Sequence, residues 1–215
     1  MAPIVIAIDG AAGSGKSTLA RGLALALDLP YVNTGLMYRA LAASARRSHV
    51  SVDDQGSLLN LARALRFHLR PGAPRELEVE GYDRAELTSP DVESTVSAVS
   101  RHPAVRRWMC EQQRALGTGG AVMEGRDIAT VVFPDADLKL FLRADEDARA
   151  VRRADERSAP SADVVEAIRA RDARDAGTTP LEPASGAIII DTGALSIDET
   201  LQEALRLAAE RMGSP

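Results

Sequence analysis

The chain has 215 residues, a length that suits one α/β domain with a sizeable core, and no composition shift or low-complexity stretch divides it. Its formal net charge of −5 and its 3% of aromatic residues argue against a nucleic acid partner, which requires a basic surface or stacking platforms. The single cysteine, Cys110, excludes an internal disulfide.

The first predicted element is a buried strand, "PIVIAI" at residues 3–8, because its β-branched run is short and continuous. This run lacks the basic flank of a signal peptide, and no stretch reaches membrane-spanning length. We therefore expect a cytoplasmic protein without a membrane partner. The strand leads into "DGAAGSGKST" at residues 9–18, and "LARGLALALD" then has helical spacing. Strand, glycine loop and helix are the context of the P-loop motif G-x-x-x-x-G-K-[ST], which predicts a nucleoside triphosphate site.

The glycine loop predicts a Mg²⁺–ATP site, because its backbone N–H groups can close around a polyphosphate at a helix N-terminus. Lys16 is expected to reach the β and γ phosphates, and Ser17 to bind Mg²⁺. Lys16 and Lys139 are the two lysines among 26 basic residues and the other 24 are arginines, so a lysine here is informative. The predicted ATP-binding residues are Gly10, Gly13, Ser14, Gly15, Lys16, Ser17 and Thr18. The alternative is a tight glycine-rich turn without a ligand.

The middle of the chain predicts helices and a small insert. "LPYVNTG" at residues 29–35 has the pattern of a strand followed by a helix start, with Thr34 as the N-cap. The predicted helices cover residues 35–47, 53–65, 89–100 and 103–117. Two alternating runs flank a turn at Pro71 to Pro74, which predicts a β-hairpin within residues 66–87.

The second half of the chain continues the alternation of strands and helices. A core strand, "AVMEG", begins at residue 121, breaks off at Arg126 and Asp127, and resumes as a second strand-like run, "IATVVF". Strands are also predicted at 137–142 and 187–191, with a helix from about Asp145 and an amphipathic helix at the end of the chain. The alternation predicts a doubly wound parallel sheet with its ligands at the carboxyl ends of the strands.

Arginine-rich segments surround a polar breaker, "ERSAPSA" at residues 156–162. Each segment places arginines on one helix face: Arg149, Arg152 and Arg153 before the breaker, Arg171 and Arg174 after it. Together they predict a lid that closes over phosphates, although a solvated helix with internal salt bridges has the same composition. If the acceptor is itself a phosphate, no general base is needed, which agrees with the absence of a conspicuous His or Glu base.

Four segments, taken in order, closely resemble the bacterial cytidylate (CMP) kinases over nearly the whole chain: "IDGAAGSGKST", "NTGLMYRALA", "EGRDIATVVFPDADLKLFL" and "RARDARD". The glycine loop is generic, whereas "TG-x-x-YR" combined with "GRD-x-x-TVVFPDA" is much more specific. The resemblance implies transfer of the γ-phosphoryl group of ATP to CMP or dCMP, and we expect a monomer. It also implies three parts: a core (1–33, 103–150 and 176–215), a monophosphate-binding region with the β insert (34–102) and a lid (151–175).

The family pattern implies roles for particular residues. The implied substrate-binding residues are Arg39 and Arg126 on the acceptor phosphate, Ser97, Arg106 and Asp127 at the base, and Arg171 with Asp175 at the sugar. Thr34 and Tyr38 are also expected to bind the substrate. The implied catalytic residues are Lys16, Arg126, Arg152 and Arg153. Cytosine has an amine that can donate to the Asp127 carboxylate, whereas uracil has an oxygen there. The alternative is that Arg126 and Asp127 only cap a strand and pair with each other.

The sequence departs from the family pattern at several positions near the predicted site. The arginine common in the family after Asp175 is replaced by "AGTTPLEP", with Thr178 or Thr179. Glu124 stands where many relatives have aspartate, Ala129 stands where glycine is usual, and a second protein ligand for Mg²⁺ is not evident. A kinase that also accepts UMP or AMP and a non-catalytic P-loop module are the competing interpretations.

Overall fold

Seven strands form one sheet within the part of the chain that the structure, a computed structural model, describes: residues 4–145, residue 149 and residues 182–213. The strands are β1 (Val5–Gly10), β2 (Tyr31–Asn33), β3 (Phe67–Arg70), β4 (Glu76–Val79), β5 (Ala121–Gly125), β6 (Leu138–Arg143) and β7 (Ile188–Asp191). Their order across the sheet is β3-β4-β2-β5-β1-β6-β7. Every pair is parallel except β3 with β4.

Helices cover both faces of the sheet. In the described part of the chain they include α1 (Lys16–Ala26), α2 (Thr34–Arg47), α3 (Gln55–Ala64), α4 (Arg84–Leu87), α5 (Pro90–Ser100), α6 (Pro103–Gly117) and α7 (Ile197–Gly213). Ile6 and Ile8 of β1 are buried in the cluster that α1 and α7 share, whereas Ala7 is buried in the cluster of α2, α3, α5 and α6. This alternation is that of a strand buried on both faces, and it confirms the predicted doubly wound α/β fold. No described helix is both long and apolar enough to cross a membrane.

The central strand β1 lies between β5 and β6, and its register sets the relative position of the strand ends. Ile8 is opposite Glu124 and Asp9 is opposite Gly125 on β5. Because these strands are parallel, the glycine loop after β1, the start of α2 after β2 and the Arg126–Asp127 pair after β5 meet at one edge of the sheet.

The predicted hairpin is present within residues 66–87, with Phe67 opposite Val79 in an antiparallel pair. It does not stand apart from the core, because β4 pairs with β2 where Tyr31 is opposite Glu76. The insert therefore extends the central sheet.

Two local predictions are wrong. Asn33, not Thr34, occupies the N-cap position of α2, and the Thr34 hydroxyl donates to the Glu124 carbonyl oxygen at 2.8 Å. The run after Asp127 is not a strand but one π-helical turn, Ile128–Val132, in which the Phe133 N–H donates to the Ile128 carbonyl oxygen at 2.7 Å. A short apolar run fits either conformation, so its periodicity alone cannot distinguish them.

Candidate active site

The glycine loop enters helix α1 through a glycine with a left-handed backbone. Gly15 lies in the left-handed region at φ 87° directly before α1, a conformation that glycine adopts without steric penalty. The Thr192 hydroxyl donates to the carbonyl oxygen of the buried Ser14 at 3.1 Å and so ties the loop to the segment after β7. The loop leads directly into the N-terminus of α1, where unpaired backbone N–H groups favour a bound anion.

Lys16 and Arg149 bring positive charge to this loop. The Lys16 Nζ donates to the Ala11 carbonyl oxygen at 2.5 Å and lies 3.5 Å from the Ser14 Oγ. Arg149, from the arginine-rich segment of the sequence, is buried, and its Nη1 donates to the Ala12 carbonyl oxygen at 3.3 Å. Both cations lie against the loop that would hold a polyphosphate.

Glu124, at the end of β5, is a functional candidate that the sequence analysis did not assign. Its side chain is buried, its Oε2 accepts a hydrogen bond from the Ser17 Oγ at 3.0 Å, and its Oε1 accepts one from the Tyr31 hydroxyl. Asn33 Nδ2 donates to that hydroxyl at 3.3 Å. Burial first, and the Glu124 carboxylate second, raise the pKa of Tyr31, so its phenol stays protonated and donates.

The Ser17 hydroxyl and the Glu124 carboxylate together form a hard oxygen donor set of the kind that Mg²⁺ prefers. Within the described residues no group of three or more His, Cys, Asp or Glu side chains could hold a metal. A cation beside Ser17 and Glu124 would therefore complete its shell with water and with ligand phosphates, as Mg²⁺ usually does. An acidic residue at the end of a central strand, next to the P-loop strand, was the available sequence signal.

One cavity joins the P-loop to the strand ends that carry the predicted acceptor residues. Its lining comprises Ala12, Gly13, Lys16, Ser17, Asn33, Thr34, Gly35, Tyr38, Arg39, Val96, Ser100, Arg106, Glu124, Gly125, Arg126 and Asp127. Gly15 and Thr18 line an adjoining cavity on the α4 side of the loop. Residues that are far apart in the sequence thus converge on one space. Ser97 lies on α5 but does not line this cavity, whereas Val96 and Ser100 of the same helix do.

The side chain of Asp127 forms an ion pair with Arg106, which lies on α6. Both side chains are largely buried, with exposed fractions of 17% and 25%. Burial raises the pKa of Asp127 above its ordinary value, and Arg106 opposes that shift. Gly125 lets the chain approach α2 closely, because a Cβ there would lie 2.7 Å from the Thr34 Oγ1. Asp127 is therefore paired with an arginine of a separate helix, α6, which the alternative of a strand cap formed by Arg126 and Asp127 alone does not include.

Arg39 and Tyr38 face the same cavity from α2. The Arg39 Nη2 lies 3.2 Å from the Glu93 Oε1 of α5, and both side chains are nearly buried. Burial raises the pKa of Tyr38 to about 12, so its phenol is neutral. Arg39 thus reaches the cavity as a cation that is already oriented by a carboxylate of the neighbouring helix α5. The remaining predicted site residues, Arg152, Arg153, Arg171 and Asp175, lie outside the described residues, as do the lid (151–175) and Thr178 and Thr179.

In sequence, this chain is similar to known cytidylate kinases over nearly its whole length. A sequence model of the family described as "Cytidylate kinase" matches residues 6–210. A cytidylate kinase of Desulfitobacterium hafniense is 41% identical over 216 residues, covering 96% of this chain and 93% of the relative. A cytidylate kinase of Pelotomaculum thermopropionicum is 44% identical over 208 residues, covering 92% of each chain. The crystal structure of an uncharacterized protein from Eubacterium ventriosum has a TM-score of 0.53 at 14% identity, covers 96% of this chain and 98% of its own, and shows a likeness in fold.

Proposed function

The chain belongs to the cytidylate kinase family, and we propose that its cavity holds Mg²⁺–ATP at the P-loop and CMP or dCMP against α2, α5 and α6. The family makes the protein an ATP-dependent nucleoside monophosphate kinase, a transferase that phosphorylates CMP. The products are CDP or dCDP and ADP, in the recycling of pyrimidine nucleotides.

In this reaction an oxygen of the acceptor phosphate bonds to the γ-phosphorus of ATP, and the bond from that phosphorus to the β–γ bridging oxygen breaks. The acceptor oxygen is already ionised at neutral pH, so the chemistry needs positioning and charge neutralisation rather than a base. Lys16 is the group that we assign to the β and γ phosphates, since its ammonium lies over the loop at the Ala11 carbonyl.

Mg²⁺ would be held at Ser17 and Glu124, whose oxygens are 3.0 Å apart and form a suitable donor set. Bound there, the cation would supply neutralisation of the developing charge on the transferred group. Tyr31 keeps one Glu124 oxygen occupied by a hydrogen bond and leaves the other directed toward Ser17.

Arg39 and Arg126 are assigned to the acceptor phosphate, because planar guanidinium groups can donate two parallel hydrogen bonds to it. The single observation that carries the base assignment is the Arg106–Asp127 ion pair in the same cavity as Lys16. A carboxylate there can accept from the cytosine amine, whereas it would meet the uracil oxygen with a like partial charge.

The other parts of the proposal rest on the family resemblance. They are a division into core, monophosphate-binding region (34–102) and lid (151–175), roles for Arg152 and Arg153 in catalysis, and roles for Ser97, Arg171 and Asp175 in binding the nucleoside. A monomeric state and a cytoplasmic location complete it.

A coupled assay of ADP release with CMP, dCMP, UMP and AMP as acceptors tests this proposal. The expected result is rapid turnover with CMP and dCMP and much slower turnover with UMP and AMP. Equal use of several bases would contradict the role of Asp127. ATP binding without ADP release on any acceptor would favour a non-catalytic P-loop module.

A further inference from the structure

Asp9 is a buried carboxylate that the mechanism above does not use. It is the last residue before the glycine loop, has an exposed fraction of 4%, and lies opposite Gly125 of β5. It is not among the residues that line the cavity, so it does not contact a substrate there. Asp9 is therefore a buried acid outside the cavity, at the point where the glycine loop and the loop after β5 meet.

Both oxygens of Asp9 accept hydrogen bonds from the turn that follows Asp127. Oδ1 accepts from the Ile128 N–H at 2.9 Å, and Oδ2 accepts from the Ala129 N–H at 2.8 Å. The first N–H groups of a helical turn have no partner inside the turn and usually receive one from the side chain of the N-cap residue. Asp9 supplies that acceptor from a different strand.

Asp127 occupies the N-cap position of this turn, yet its side chain makes no capping hydrogen bond. Aspartate is one of the preferred N-cap residues, so capping would be its ordinary use at such a position. Here the Asp127 carboxylate instead pairs with Arg106 and lines the cavity. The turn does not need the Asp127 side chain as a cap, because Asp9 already accepts hydrogen bonds from the first two N–H groups of the turn.

We infer that Asp9 is a positioning residue for the acceptor site, which caps the 128–132 turn in place of Asp127 and leaves the Asp127 carboxylate available to Arg106 and the acceptor base. The inference rests on the acceptor assignment proposed above. Because Asp9 also directly precedes Gly10, the first residue of the glycine loop, one side chain fixes the acceptor loop relative to the ATP loop.

The charge of Asp9 fits this role. Burial raises its pKa to about 6, while the two backbone hydrogen bonds oppose the shift. Two charged groups also act on this pKa: Asp127 disfavours the anion, and Lys16 of α1 favours it. At neutral pH the carboxylate is therefore ionised and can accept from both N–H groups.

The test is Asp9→Asn, whose amide keeps the volume but can offer its oxygen to only one of the two N–H groups. The Asp127 carboxylate should then turn away from Arg106 and accept a hydrogen bond from the N–H group of the 128–132 turn that the substituted amide leaves without an acceptor. The expected result is a KM for CMP raised about tenfold or more, with the KM for ATP within about twofold, as a lost hydrogen bond to a charged group predicts. The ratio of kcat/KM for CMP to that for UMP should fall at the same time.

The matched control is Asp137→Asn. The Asp137 Oδ2 also accepts a backbone hydrogen bond, from the Val5 N–H at 2.8 Å, but at the opposite end of β1. It should leave both KM values unchanged. Asp9→Ser, which leaves more room, is the second variant and should show the same split. A KM for CMP that stays at the wild-type value, or equal rises for both substrates, would overturn the inference.

Arg126→Ala separates this inference from the function on which it rests. If Arg126→Ala raises the KM for CMP and Asp9→Asn does not, only the inference fails. If Arg126→Ala has no effect, the acceptor assignment itself fails. Should neither Asp9 variant fold, the ¹³C carboxyl resonances of the wild-type protein decide: CMP should shift that of Asp127 more than that of Asp9, and the reverse order would refute the assigned roles.

Discussion

The Oγ of Ser17, the first hydroxyl after the P-loop lysine, lies 3.0 Å from the buried Oε2 of Glu124 on a separate strand. We predict that Glu124→Gln raises the Mg²⁺ concentration needed for half-maximal rate at least about tenfold, because the amide removes the negative charge that would hold the cation. Rates measured over a Mg²⁺ titration at saturating ATP and CMP check this. The exposed Glu80→Gln is the control, and an unchanged Mg²⁺ requirement in Glu124→Gln would refute the assignment.

Lys16→Ala should lower kcat by about 10² or more, because it removes a charge directed at the transferring phosphoryl group. Thermal unfolding should show a folded protein, since Lys16 contributes no core packing. Lys139→Ala is the matched control, because Lys139 is the only other lysine and its Nζ donates to the Ser185 carbonyl oxygen at 3.3 Å. Activity of Lys16→Ala above about a tenth of wild type would speak against the P-loop role.

Arg39→Ala should raise the KM for CMP and UMP alike by about 10- to 100-fold, the value of a charged hydrogen bond, since a phosphate contact carries no base information. Arg46→Ala on the same helix is the control, because Arg46 forms an exposed ion pair with Asp91 at 2.6 Å. Steady-state kinetics with both acceptors provide the measurement. A rise confined to CMP would reassign Arg39 to the base.

The pH dependence of stability should reveal Asp9. Its pKa is about 6 in the folded protein and 3.8 in the unfolded reference, so the folded state binds its proton more tightly. Protonation of Asp9 therefore stabilises the folded state fully below about pH 4. This contribution to the free energy of unfolding, about 3 kcal/mol, is lost as the pH rises through 6. The free energy of unfolding of wild type relative to Asp9→Asn should fall by most of this amount between pH 4.5 and about 7.5 in urea titrations. A difference that does not vary with pH would contradict the assigned burial of the charge.

The fold and the phosphate loop were predictable because their signals are local. A continuous β-branched run, glycines at fixed spacing and a lysine followed by serine specify a strand, a loop and a helix start without reference to the rest of the chain. The hairpin within residues 66–87 was predictable for the same reason, from alternation on both sides of a proline turn.

The misassigned and missed features depend on contacts between distant residues. Thr34 does not cap α2 because its hydroxyl donates to Glu124, which is 90 positions away in the sequence. The turn after Asp127 is helical where its N–H groups meet Asp9, 119 and 120 positions away. The Ser17–Glu124 pair likewise forms only when two parallel strands are in register. Tertiary contacts of this kind leave no local periodic signal.

The discrimination between CMP and UMP in Asp127→Asn tests the central claim, that the Asp127 carboxylate reads the cytosine amine, most directly. We predict a strong loss of kcat/KM for CMP and a smaller difference in kcat/KM between CMP and UMP, because the amide can present an N–H to the uracil oxygen. The discrimination between the two bases at this contact corresponds to about 1 to 3 kcal/mol. The KM for ATP should stay nearly constant. Arg126→Ala should lower kcat/KM for CMP and for UMP by similar factors. An equal loss for CMP and UMP in Asp127→Asn would show that Asp127 is only the structural partner of Arg106 and would contradict the account.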